Sequence, residues 1–495
     1  MTLQSIDART GQPVGEAWPE STPAQIDAAV TAAATTAPAW ATSDGAARAR
    51  LLRGLADALE SAREHLVPLA DRETALGLPR LNGELDRTAF QLRGFADVAE
   101  RGDAFAFLDD PTVAGAPPAG RPHLTRVRVP LGPVAMFAAS NFPFAFSVLG
   151  GDTASALAAG CPVVIKGHPA HPELSRQTVA LARQVIASQG LPSGLIGFVE
   201  GTSIAAGVRL VQADGIAAVA FTGSFAGGTA LARIAAERAR PIPFFGELGS
   251  VNPLIVLPDA LREGGTELAQ SLAGSICLGS GQFCTSPGVI VVTKGAAGDA
   301  FVDALATHLA SLSPHALLTP GIRGAFEKGL VRWRDAAGVR PLVADIAEAN
   351  ATPRPYLAEV DGGDFVANAS LHEEVFGAAA LVVRTDTPSQ AIDILRAVGG
   401  SLTVTLWGIE KSATSPDDTT LELVRAATQI AGRVLFAGVP TGVAVTAAQH
   451  HGGPFPASTA PATTSVGYAA LDRFLRPVAL QDAPAWLVDR KGVPC

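Results

Sequence analysis

One cysteine, Cys284, stands in Leu278-Gly279-Ser280-Gly281-Gln282-Phe283-Cys284-Thr285-Ser286-Pro287-Gly288, a glycine-bracketed loop between a helix-like segment and an apolar strand. Thiolate is the reactive form of cysteine, so a nucleophile needs exposed backbone N–H groups or a nearby base, and a tight turn at Gly279 and Gly281 supplies the first. Taken alone, a single cysteine reads as a small buried side chain. Two other stretches shift that balance. In Phe244-Phe245-Gly246-Glu247-Leu248-Gly249-Ser250 one carboxylate emerges from an apolar run, the setting of a base whose pKa burial would raise. In Ala139-Ser140-Asn141-Phe142-Pro143-Phe144 an amide side chain occupies an uncharged turn, upstream of a strand that ends in Lys166.

With these motifs in this order, the chain resembles the aldehyde dehydrogenase superfamily over nearly its whole length. In Asn141-Phe142-Pro143-Phe144, Lys166-Gly167-His168-Pro169 and Gly281-Gln282-Phe283-Cys284 it is most similar to the 2-oxoglutarate semialdehyde (2,5-dioxopentanoate) dehydrogenase branch. The resemblance implies NAD(P)-dependent oxidation of an aldehyde to an acid. An aldehyde releases hydride only from a tetrahedral adduct, and Cys284 would make that adduct. The Asn141 amide and the Cys284 backbone N–H would hold the oxyanion, one such donor being worth roughly 3 kcal/mol. Glu247 would activate the water that hydrolyses the thioester.

The coenzyme residues follow from the same resemblance. Lys166 would hold the adenosine ribose, Glu374 and Phe376 the nicotinamide ribose and ring, and Gly223, Ser224 and Gly227 the pyrophosphate. By itself Phe221-Thr222-Gly223-Ser224-Phe225-Ala226-Gly227-Gly228 is only a glycine turn between strand and helix, and it departs from the G-x-G-x-x-G pattern. Ser140 replaces a common aromatic. Pro169 replaces the acidic residue often found three positions after the lysine, so nothing there repels a 2′-phosphate while Lys166 and His168 offer positive or donor character. NADP is therefore expected ahead of NAD.

The elements that must position these groups are legible as periodicity. Segments 134–138, 162–166, 196–199 and 217–221 are apolar strands alternating with helices 150–159, 172–188, 203–212 and 227–238, and a second strand–helix series begins after Glu247. The fold expected is α/β, with two Rossmann-like parallel-sheet domains, coenzyme-binding and catalytic, and a small bridging or oligomerisation β element. The coenzyme-binding domain is placed at 1–120 and 139–247, the catalytic domain at 248–445, and the bridging segments and tail at 121–138 and 446–495. Segment 125–129 alternates Val with Arg, as in the hairpin with which similar dehydrogenases assemble; a homodimer or homotetramer is expected. His450-His451 is read as a structural loop and no metal is expected, because no Cys or acidic group stands at ligand spacing beside them. Cys161, Cys277 and Cys495 are read as packing residues.

Composition narrows the partners. A net charge of −9 in 495 residues, with no run of Lys or Arg, argues against nucleic acid and anionic membranes and for small-molecule partners; the resemblance implies a small-molecule aldehyde. Four cysteines without paired CxxC spacing suit a reducing compartment, and the cytoplasm is expected. The charge-free run 129–151 is long enough for a membrane span, but Pro130, Pro133, Pro143 and Asn141 break it into strand, turn and helix. The rival readings are a fatty or general aldehyde dehydrogenase, a coenzyme A-acylating dehydrogenase, for which Glu247 would be superfluous, a cysteine acyltransferase or hydrolase without nicotinamide, and a non-catalytic binding protein on the same scaffold.

Overall fold

The computed structural model describes residues 2–313, 315–344, 352–409 and 415–488, the side chain of Glu263 apart. The chain begins with an antiparallel pair, β1 (Thr2–Ile6) and β2 (Pro13–Pro19), and four helices, α1 (Pro23–Ala41), α2 (Gly45–Ser61), α3 (Arg63–Thr74) and α4 (Leu78–Arg101). The leucine spacing of α2 puts Leu51, Leu52, Leu55 and Leu59 on its buried face. Short strands β3 (Leu108–Asp110) and β4 (Leu124–Pro130) follow.

The alternating series then builds a five-stranded parallel sheet from β5 (Val134–Phe137), α5 (Gly151–Ala158), β6 (Val163–Lys166), α6 (Pro172–Ser188), β7 (Ile196–Val199), α7 (Ile204–Gln212), β8 (Ala218–Thr222), α8 (Phe225–Ala236) and β9 (Phe244–Glu247), in the order β7-β6-β5-β8-β9. Helices cover both faces, so Val163, Val164 and Ile165 are completely buried, each contributing about 1.5–3 kcal/mol. The centre strand β5 falls within the segment 121–138 that the sequence reading assigns to the bridging element. Its four residues are all buried, which a protruding strand would not be, so β5 belongs to the five-stranded sheet rather than to a bridging element.

A second sheet joins β10 (Leu254–Val256), β11 (Val289–Thr293), β12 (Arg340–Val343), β13 (Tyr356–Asp361), β14 (Ala379–Thr385), β15 (Ser401–Trp407) and β16 (Ala431–Leu435) in the order β12-β13-β14-β11-β10-β15-β16, parallel except for β12. Helix α9 (Pro258–Cys277) leads into the Cys284 loop. Strand β17 (Leu475–Gln481) pairs antiparallel with β4 and completes the three-stranded sheet β17-β4-β3. Among the described residues no helix is long and apolar enough to cross a membrane; the charge-free run 129–151 holds the end of β4, then β5 and a series of turns, and stops at the first residue of α5.

Candidate active site

Five expected site residues lie at the carboxyl ends of four parallel strands of the five-stranded sheet, the edge at which such sheets bind ligands. Asn141 follows β5, Lys166 ends β6, Gly223 and Ser224 follow β8, and Glu247 ends β9. The chain between β16 and β17 returns to this edge: Leu248 N–H donates to the Ala457 carbonyl at 2.8 Å and Thr459 N–H to that of Gly246 at 3.0 Å. This added bridge beside β9, with Glu247 opposite Ser458, brings His451 and Ser465 against Glu247.

The resulting cluster is compact. His451 Nε2 lies 2.9 Å from Glu247 Oε1 and 3.5 Å from Cys284 Sγ, and Ser465 Oγ donates to Glu247 Oε2. Burial opposes ionisation of Glu247, yet attraction to His451 and hydrogen bonds from His451, Ser465 and Cys284 outweigh it and hold the carboxyl below its ordinary range. The sequence reading expects a raised value; the difference arises because the apolar run supplies burial only, while the compensating donors come from the distant tail. Burial and the nearby Glu247 and Glu374 carboxylates push the Cys284 thiol well above its ordinary value, which favours the thiol over the thiolate. The reading of His451 as a structural loop residue is corrected: no acid or cysteine is near it in sequence, but the fold supplies both. Glu247, Cys284 and His451 also place their ligand atoms within 4.8 Å of one another, a donor set of metal-binding type that residue spacing does not reveal.

The cysteine loop is held by its backbone. Gly279, Ser280 and Gly281 take φ of 57°, 56° and 71° in succession, and a Cβ on Gly281 would lie 2.1 Å from the Gly377 carbonyl carbon. Asn252 Nδ2 donates to the carbonyls of Cys284 at 2.8 Å and Ser286 at 3.0 Å, tying the loop to the chain just before β10. Asn141 Nδ2 donates to the Gln282 carbonyl at 3.0 Å, two residues before Cys284. Arg80 donates from Nη2 to the Asn141 carbonyl at 2.6 Å and lies between the rings of Phe142 and Phe283, 5.0 and 4.7 Å from their centroids, so one guanidinium braces the neighbours of both Asn141 and Cys284.

On the coenzyme side, Ser224 caps α8 by accepting the Gly227 N–H at 3.2 Å, and residues 223–226 are exposed, leaving a helix N-terminus open to an anion. Lys166 is nearly buried, its ammonium donating to the carbonyls of Gly167 at 2.8 Å and Gly201 at 2.7 Å; burial lowers its pKa to about 8 against the attraction of Glu20 and Glu200. His168 does not supply positive charge. Burial, with His171 and Lys166 nearby, drives its pKa well below normal, and its Nδ1 accepts the Ala170 N–H at 3.1 Å, so the ring is a neutral Nε2–H donor. Glu374 and Phe376 line a small cavity with Ser250, Gly281 and Phe283, and burial raises the Glu374 carboxyl to about 7. Cys161 is buried in the first core and Cys277 is partly buried against the second domain's core; Cys495 lies outside the described residues.

A second cavity, of about 210 Å³, opens onto Cys284 itself. Arg80, Glu84 and Arg87 of α4 face it together with Phe142 and Phe283. Neither this wall nor the Asn252 tie nor the Glu247 partners are found from the sequence; the only signals were Asn252-Pro253 beside the Glu247 motif and the glycines that follow His451.

The sequence profile of the aldehyde dehydrogenase family matches residues 1–323. The chain is 40% identical over 487 residues to alpha-ketoglutaric semialdehyde dehydrogenase 2 of Azospirillum brasilense, covering 98% of this chain and 92% of that protein. It is 38% identical over 483 residues to alpha-ketoglutaric semialdehyde dehydrogenase of Acinetobacter baylyi, covering 97% and 91%. Its fold matches that of an NAD-dependent aldehyde dehydrogenase from Sinorhizobium meliloti with a TM-score of 0.81 at 24% identity, covering 98% and 92% of the two chains. A parallel sheet that carries Lys166 and Glu247 at its carboxyl edge, a cysteine loop set against that edge and these likenesses lead to one conclusion: this chain belongs to the aldehyde dehydrogenase family, the NAD(P)-dependent oxidoreductases of aldehydes.

Proposed function

We propose that the protein oxidises a short aldehyde carrying a distal carboxylate, 2-oxoglutarate semialdehyde (2,5-dioxopentanoate), to the corresponding acid, with Cys284 as nucleophile and Glu247 as base. The observation that carries the chemistry is the contact of the partly buried Cys284 with the buried His451–Glu247 pair. The near-full-length likeness to the two alpha-ketoglutaric semialdehyde dehydrogenases supports the substrate. In this reading the thiol proton passes to the Glu247–His451 pair, Sγ attacks the carbonyl, and the Asn141 amide with the Cys284 N–H holds the oxyanion. The nicotinamide coenzyme, when bound, accepts the hydride. Glu247 then withdraws a proton from the water that cleaves the thioester, with Ser465 and His451 fixing its carboxylate in place. The exposed first turn of α8 and the carbonyl-anchored Lys166 fit a dinucleotide's pyrophosphate and ribose.

The coenzyme proposed is NADP, with NAD also accepted. Support comes from the absence of a carboxylate between Lys166 and Glu173; the field of Glu20 and Glu200 at Lys166 narrows the margin. Assembly as a homodimer or homotetramer through the β17-β4-β3 sheet, whose edge strand β3 is fully exposed, and a reducing cytoplasm for the free cysteines complete the proposal. The test mixes Glu247→Gln with excess aldehyde and NAD or NADP. A rapid burst approaching one reduced coenzyme per subunit, followed by turnover slowed about 10²- to 10⁴-fold and a thioester on Cys284 seen by intact mass, is expected. Steady turnover at the wild-type rate without a trapped thioester would exclude Glu247 as the base.

A further inference from the structure

The cavity that opens onto Cys284 contains an unusual charge balance. Its polar wall is one face of α4, where Arg80, Glu84 and Arg87 recur at helical spacing. Glu84 accepts the N–H groups of Phe144 and Ala145 at 2.8 and 3.1 Å and lies 4.0 Å from Arg80. Two guanidinium groups thus face at most one carboxylate, and burial raises the Glu84 pKa, which favours its neutral form. The surplus positive charge borders an aromatic cavity beside the cysteine, and an uncompensated cation in such surroundings is costly unless a ligand completes it.

The two arginines are not equivalent. Arg80 is engaged by the Asn141 carbonyl, Glu84 and two phenylalanine rings. Arg87 makes one hydrogen bond, from Nη1 to the Val443 carbonyl, and no ion pair among the described residues. Its Nε is buried without a partner. The Nε–Nη2 edge, which grips a carboxylate with two parallel bonds, therefore has no protein acceptor. We infer that this edge of Arg87 receives the distal carboxylate of the aldehyde, making Arg87 the residue that sets specificity. The inference rests on the proposed reading of the substrate as a carboxylated aldehyde. A cavity of about 210 Å³ suits a short chain, being below the roughly 300–1,000 Å³ of sites for larger ligands.

The test compares kcat/KM for 2,5-dioxopentanoate and for pentanal in the wild type, Arg87→Gln and Arg87→Lys. A charged hydrogen bond is worth about 10- to 100-fold, so Arg87→Gln should lower the ratio of carboxylated to neutral substrate by about 10²-fold, mainly through KM, because the distal group is held equally in ground and transition states. Arg87→Lys, which keeps charge and size but loses the fork, should give an intermediate ratio and serves if Arg87→Gln folds poorly. A wild type that prefers the carboxylated aldehyde together with variants that keep its ratio would overturn the role of Arg87 while leaving the substrate standing. A wild type without that preference would overturn both.

Discussion

Replacing His451 with Gln tests the part of the site that the sequence did not disclose. Gln retains a polar group of similar reach but removes the titratable ring that lies 3.5 Å from Cys284 Sγ and 2.9 Å from Glu247 Oε1. An imidazolium 3.5 Å from a thiolate attracts it by about 5 kcal/mol at an effective dielectric near 20, which lies at the upper end of the ~10²- to 10⁴-fold contributed by a positioned acid–base group. Part of that energy goes into forming the imidazolium, so a loss of about 10²- to 10³-fold in thiolate reactivity at neutral pH is expected. Alkylation of Cys284 by iodoacetamide, followed without coenzyme or aldehyde, reads this reactivity directly. The sign of the pH effect is also set. The Cys284 pKa is already raised, so reactivity climbs with pH; without the ring beside Sγ to take up the thiol proton, the profile moves further towards alkaline pH. The deficit should be largest near neutrality and shrink as pH rises. An alkylation rate and pH profile unchanged from wild type would show that His451 only packs against the cysteine and takes no part in activating it.

Gly281→Ala should abolish activity and lower thermal stability, since its φ of 71° costs a side chain about 1–2 kcal/mol before the clash with Gly377 is counted; a burst of normal size and an unchanged melting temperature would contradict the rigid-loop reading. The buried pair Arg473–Asp152, at 2.6 Å, ties the segment before β17 to α5. Asp152→Ala should destabilise by about 3–5 kcal/mol by stranding the guanidinium, measurable as a lower denaturant midpoint, whereas a shift no greater than that of an exposed pair would mean that Arg473 finds another acceptor.

Local pattern was sufficient for the architecture. Runs such as Val163-Val164-Ile165 are apolar throughout, which only a strand covered on both faces tolerates, and their alternation with helices specifies parallel sheets. The glycines around Cys284 and the lone carboxylate at Glu247 likewise stand out through adjacent residues, so both are candidates without coordinates. What needed the tertiary structure were groups whose function depends on partners far along the chain. His451 is 204 residues from Glu247 and 167 from Cys284, and nothing near it in sequence reveals that it meets either. The direction of the Glu247 shift depends on the tertiary structure for the same reason: burial can be inferred from a run of phenylalanines, but donors delivered by a returning tail cannot. Arg87 belongs here too, because a helical arginine is ordinarily a solvated surface charge, and only the packing of α4 against the cysteine loop turns it inward. Periodicity is a property of neighbours in sequence, whereas a pKa or an unpaired guanidinium is a property of neighbours in space.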